Sequence, residues 1–153
     1  MQEIRNQIRA QLIHSFKIFP SENLSEIREA LEATLYVPEP QLKPKIISQL
    51  VNYLKVKFEL EEYPITSFIA KNENEVCGMV ICQVDPHYTS YSRKCGTFGW
   101  LHADSLEICD ELMRACALFT RKHKVHKLRG PINCPKSLGG LGHQVMGFKE
   151  QML

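Results

Sequence analysis

The sequence predicts an α/β domain in which one mixed sheet carries helices on both faces. Three observations predict it. Residues 65–71 and 76–84 are β-rich runs around the turn Asn72-Glu73-Asn74-Glu75, which reads as a hairpin. Residues 95–132 read strand, long helix, strand, a unit that makes parallel strands with a right-handed crossover. Two helical stripes precede the hairpin, with apolar residues three and four apart. The chain has 153 residues, 44% of them hydrophobic. That suits one domain burying roughly two-thirds of its unfolded surface.

The elements follow in order. Residues 2–13 place Ile4, Ile8 and Leu12 four apart with arginines between them, a short amphipathic helix that docks on the domain or on a partner. Residues 14–19 alternate and end at Pro20, a first strand. Asn23 starts a helix, and Glu26 three residues on fits a capping box. Leu24, Ile27, Leu31 and Leu35 are its stripe, and Pro38, Pro40 and Pro44 break the pattern. A second helix over 45–61 buries Ile47, Leu50, Val51, Leu54 and Phe58. After the hairpin comes a polar loop, 85–94, holding Pro86, His87, Tyr88 and Tyr91, and then a strand over 95–102.

Asp104 is the expected N-cap of the strongest helix, with Glu107 completing a second capping box. Cys109, Leu112, Met113, Cys116 and Phe119 form its stripe, and Lys122, His123 and Lys124 suit the negative end of its dipole. A strand over 127–132 is stopped by Gly130-Pro131 and Asn133. The turn Leu138-Gly139-Gly140-Leu141-Gly142 leads to Val145-Met146-Gly147-Phe148. The domain thus divides into a helix at 1–13 and a core at 14–153.

Composition excludes several classes. Nineteen basic and seventeen acidic residues leave a net charge of +2, too little to recruit nucleic acid or an anionic membrane surface. The longest apolar run, 76–82, is far short of the ~20 residues that span a bilayer. The start Met1-Gln2-Glu3-Ile4-Arg5 is too polar for a secretory signal, so a cytoplasmic protein is expected. The six cysteines show no Cys-x-x-Cys spacing and read as small buried thiols in a reducing compartment. His123 and His126 can share a helix face but have no second ligand pair near them, so no metal site is expected.

Three segments invite chemistry without fixing it. Asp85-Pro86-His87-Tyr88 is polar enough to touch a substrate, or is a solvated loop. The glycine turn, with Lys136 nearby, cradles an anion or is a plain loop, and it matches neither nucleotide-binding glycine pattern. Cys134 is a nucleophile only beside a base, and the sequence pairs it with none, so a structural thiol is expected.

The element order is similar to that of the GCN5-related N-acetyltransferase superfamily. Gly96-Thr97-Phe98-Gly99-Trp100, the long helix, Arg129-Gly130-Pro131-Ile132-Asn133 and then Gly142 to Gly147-Phe148 resemble a divergent branch of it, over about residues 14 to 153. The resemblance implies that the strand before the long helix splays from the strand after it, and that acetyl-CoA or another acyl-CoA lies in the gap. Trp100, Leu101, His102 and Ala103 would line one side, and Ile132 and Asn133 the other. The pyrophosphate would rest on the helix N-terminus at Asp104 and Ser105. In such a site His102, or a water held near Asn133, is the proton acceptor, a strand amide stabilises the oxyanion, and a small-molecule amine or peptide is the acceptor. Read from position alone, His102 is a general base or a half-exposed histidine at a helix start, Asn133 binds a ligand carbonyl or is a turn residue after Pro131, and Trp100 lines the cleft or is core.

The sequence departs from the superfamily twice. The phosphate turn His102-Ala103-Asp104-Ser105-Leu106 has no glycine, and Asp104 as N-cap would take the helix N–H groups that a phosphate needs. The chain also stops soon after its fifth strand, where the superfamily adds a helix and two strands. Either a second copy completes the sheet as a homo-oligomer, or the domain ends early, or the chain is a fragment. The polar loop and the open cleft favour an acyl-CoA-dependent N-acyltransferase; the missing glycine and Asp104 favour the alternative, a non-catalytic module that binds a ligand or another protein.

Overall fold

The structure, a computed structural model, describes residues 16–135 and Leu138. The expected helix at 2–13, the first two residues of the 14–19 strand, Lys136, the glycines at 139–142, the segment 145–148 and the expected early end of the sheet lie outside the described residues. The elements run β1 (Phe16–Ser21), α1 (Leu24–Thr34), α2 (Lys43–Phe58), β2 (Ile65–Asn72), β3 (Glu75–Gln83), β4 (Thr89–Ser90), β5 (Arg93–Lys94), β6 (Gly96–Ala103), α3 (Leu106–Lys122) and β7 (Leu128–Arg129). Five strands form one sheet in the order β1-β2-β3-β6-β7. All neighbours are antiparallel except β6 and β7, which are parallel as the strand-helix-strand reading requires.

Helices cover both faces because the central strands alternate two apolar sets. Ile65, Ile69, Met79 and Ile81 face α1 and α2, where Ile27, Leu31, Ile47, Leu50 and Leu54 are buried. Phe68, Ala70, Val80 and Cys82 face α3 and its Ile108, Leu112 and Cys116. Burial on both faces is why β3 reads as a nearly continuous apolar run rather than an alternating one. Each fully buried aliphatic side chain contributes roughly 1.5–3 kcal/mol.

Several boundaries differ from expectation for local reasons. Pro20 does not end β1 but pairs with Phe68 inside it. β1 lies at the sheet edge, where a missing N–H interrupts no second ladder. Pro44 does not break α2 either, since it lies in the first turn, where helix N–H groups have no partner to lose. α2 accordingly runs 43–58 rather than 45–61. Asn23 caps α1 as expected, its side chain accepting from the N–H groups of Ser25 and Glu26. The capping box closes through a relay: the Asn23 N–H donates to Ser21 Oγ, and the Ser21 hydroxyl donates to the Glu26 carboxylate.

Two differences bear on the site. The N-cap of α3 is Ser105, not Asp104. Ser105 Oγ accepts from the Ile108 N–H at 3.2 Å. The third helical position is then Ile108, so Glu107 closes no box. Asp104 instead turns back to His102, with Oδ1 2.8 Å from Nε2, a charge-assisted contact when the imidazole is protonated. The last strand is also shorter than 127–132. The β6–β7 ladder pairs Gly96 with Leu128 and Thr97 with Arg129, and then the chains diverge. Pro131 has no N–H to continue it, and one further bond, from Ile132 N–H to Phe98 O at 2.7 Å, holds the departing chain.

Candidate functional site

The divergence of β6 from β7 is the centre of the site. β6 carries a bulge there: Met79 pairs with His102 and Ile81 with Gly99, so Trp100 and Leu101 stand opposite Val80 alone. Trp100 has φ +52°, a left-handed conformation that costs a bulky residue roughly 1–2 kcal/mol. Two hydrogen bonds hold it. The Trp100 backbone N–H donates to Asn133 Oδ1 at 2.7 Å, and its indole Nε1–H donates to the Cys134 carbonyl at 2.8 Å. A side chain thus completes a ladder that the backbone has left.

The glycines of the two motifs make this approach possible. A Cβ on Gly99 would lie 2.2 Å from the Ile132 carbonyl oxygen, and one on Gly130 would lie 2.5 Å from the Phe98 carbonyl oxygen. Gly-x-Phe-Gly and Gly-Pro-x-Asn therefore interlock, each supplying the room that the other's backbone needs.

Above the bulge, the outer edge of β6 over 101–103 pairs with no strand among the described residues. The side chains of Leu101 and Ala103 pack toward α3, so they reach the gap through their backbone alone. Trp100 packs on the opposite face, toward the α1–α2 cluster. His102 shares that face by strand alternation, and its side chain is 41% exposed.

Below the bulge, on the α2 side of the sheet, lies a cavity of about 340 Å³. Tyr53 of α2, Gln83 and Asp85 at the end of β3, Tyr88, Thr97 of β6 and residues 132–135 line it. Thr97 is 3% exposed, and its Oγ1 is the one buried side-chain polar atom without a hydrogen-bond partner among the described residues. Asp85 Oδ1 accepts from the His87 backbone N–H at 2.8 Å, which fixes the carboxylate at the loop's start. Burial first, then Cys134 and Asp85, pushes the Tyr53 hydroxyl well above the usual tyrosine range, so it stays a donor. Burial pushes the Cys134 thiol up to about 12. It is protonated near neutrality, which fits a structural thiol and not a nucleophile.

Of the residues singled out in the sequence, Trp100 and Asn133 come together by direct contact, and Asn133 also lines the cavity. His102 and Asp104 form a separate pair, roughly 15 Å along β6 from Thr97 at ordinary strand rise. Ser105 is the helix cap. Asp85 and Tyr88, from the loop flagged as a substrate contact, line the cavity. Tyr53, Gln83 and Thr97 were not legible as site residues. Tyr53 stands three residues after Leu50, at the margin of the apolar stripe of α2, and that polar-tipped margin was the one available signal. Among the described residues no group of three His, Cys, Asp or Glu could hold a metal, and no helix is long and apolar enough to cross a membrane.

No family model matches the chain, and no curated protein sequence is similar to it. Solved structures do match its fold. One is AAC(6')-Iy in complex with the bisubstrate analogue CoA-S-monomethyl-acetylneamine, at TM-score 0.58 and 12% identity over 90% of this chain and 99% of that one. Another is a predicted acetyltransferase from Clostridium acetobutylicum with acetyl-CoA, at TM-score 0.56 and 12% identity over 74% and 79%. A third is a putative acetyl transferase from Pyrococcus furiosus, at TM-score 0.52 and 17% identity over 90% and 99%. The chain has the fold of the GCN5-related N-acetyltransferases.

Proposed function

We propose that this chain binds an acyl-CoA along the outer edge of β6 and serves acyl transfer to an amine. The observation that carries the reading is the parallel β6–β7 pair that holds register for two residues and then parts, on this fold. The residues present fit such a group. The backbone of Leu101, His102 and Ala103 offers an unpaired edge to a pantetheine amide. At the start of α3 the Asp104 carboxylate is turned to His102, and the Ser105 hydroxyl takes the Ile108 N–H. The remaining first-turn N–H groups and the positive dipole end suit phosphate oxygens.

When bound, the thioester supplies an activated acyl carbonyl. The chain's own part begins with Asn133. Its Oδ1 is committed to the Trp100 N–H, so its Nδ2 points the other way and donates to a carbonyl oxygen. Asn133 Nδ2, not the Trp100 amide, is then the oxyanion donor. A water held near Asn133 takes the amine proton and passes it through solvent to His102, which Asp104 holds farther along β6 on the same face as Trp100. The cysteine usage fits a reducing cytosol.

A second reading, a non-catalytic binding module, is favoured by one observation. Trp100 already closes the base of the gap with two hydrogen bonds, one to Asn133 and one to Cys134. Calorimetric titration with acetyl-CoA separates the two. Micromolar binding, with amide shifts at Leu101, His102 and Ala103, is expected of the first. No binding at millimolar ligand would leave the second.

A further inference from the structure

Among the described residues the cavity below the bulge is lined by one carboxylate, that of Asp85. No Lys or Arg among the described residues pairs with it. Lys57 lies over the Tyr63 ring at 3.6 Å and does not line the cavity. The carboxylate is held in place by the His87 N–H and has no counter-ion among the described residues. Across the same cavity, Thr97 Oγ1 is buried without a partner, a state native proteins rarely leave unexplained. The apolar Ile132 and the ring of Tyr53 line the same cavity. A cavity of about 340 Å³ is at the small end of ligand sites and admits one ring, not a chain of them.

We infer that this cavity is the acceptor site and takes a small monoamine that also carries a hydroxyl: its ammonium against Asp85, its hydrocarbon body on Ile132 and Tyr53, and its hydroxyl on Thr97. A single carboxylate matches a single positive charge, so polyamines and multi-ring polycations are not the fit. Thr97 and Asn133 belong both to this cavity and to the β6–β7 divergence, which sets the cavity next to the proposed acyl carbonyl. Naming it an acceptor site rests on the acyl-transfer reading; the binding itself does not.

The test is binding of trans-4-aminocyclohexanol to the full chain, followed by amide shifts without any CoA present. Two analogues serve as controls: trans-1,4-cyclohexanediol, which lacks the charge, and cyclohexylamine, which lacks the hydroxyl. The amino alcohol is expected to bind roughly ten- to a hundred-fold tighter than the diol, the span of a hydrogen bond to a charged group. The shifts are expected at Asp85, Thr97 and Asn133. Asp85→Asn keeps the acceptor for the His87 N–H and should erase the preference over the diol. Thr97→Val should erase the preference over cyclohexylamine while leaving the melting temperature unchanged or raised, because its Oγ1 has no bond to lose. Equal binding of amino alcohol and diol by the unaltered chain, or no shift at Asp85 and Thr97, overturns the inference. That comparison needs no variant to fold. If the amine binds and acetyl-CoA does not, the cavity stands and the acyl-transfer reading falls; if acetyl-CoA binds and the amine does not, the reverse holds.

Discussion

Asn133 Oδ1 satisfies the backbone N–H of a left-handed residue, and Asn133 also lines the cavity. Asn133→Ala is expected to lower stability by about 1–3 kcal/mol, the cost of stranding a part-buried N–H, in denaturant titration. Asn133→Asp keeps the acceptor and removes the donor, so it should retain more stability than Asn133→Ala while losing any role in carbonyl binding. At the start of α3 the assignment of the cap is testable in the same way. Ser105→Ala is expected to cost about 1 kcal/mol, and Asp104→Ala, which breaks an exposed pair, less than about 0.5 kcal/mol. The reverse order would return the cap to Asp104.

The elements that sequence periodicity located are those whose signal is local. The stripes of α1, α2 and α3 repeat at helical spacing, and the β2–β3 hairpin turns at Glu73-Asn74, so all four were legible. The failures came where two adjacent residues competed for one role or where tertiary neighbours decided. Asp104 and Ser105 are both good caps, and the choice was made by His102, two residues back on another element. Pro20 and Pro44 looked like breakers because sequence does not say which strand is an edge or where a helix begins. The cavity was only half legible: its residues come from α2, the ends of β3 and β7, and β6, and no spacing announces that convergence. The glycine motifs carry the sharpest prediction at this scale. Gly99→Ala sets a Cβ against backbone, not a yielding side chain, and should destabilise by at least the ~1–3 kcal/mol of overpacking. Combining it with Gly130→Ala should cost less than the sum, since both open the same strand pair.

For the molecule as a whole, the thiols report burial. Five of the six cysteines are buried and Cys109 is half-buried, so a thiol reagent added to native protein should label Cys109 first. Faster labelling at any other cysteine would contradict the packing. Burial also raises the Cys134 thiol from 9.0 to about 12. The sign follows: the unfolded chain gives up this proton first as pH rises, so stability is full below pH 9 and is lost as pH climbs toward 12. Denaturant midpoints across that range should fall, and Cys134→Ala should flatten the fall.

The chain carries a single tryptophan, and the fold has set it on β6 at the parting of β6 and β7, its backbone N–H and its indole N–H both bonded to the chain that continues from β7. Its emission is therefore a built-in optical gauge of that one place. An indole hydrogen-bonded to a carbonyl and packed beside Cys134 should emit to the blue of a solvated one and be partly quenched by the neighbouring sulfur. Any ligand that pries the strands apart will redden and brighten it. One that merely occupies the cavity below will leave its colour alone, so the protein can be watched opening without a label.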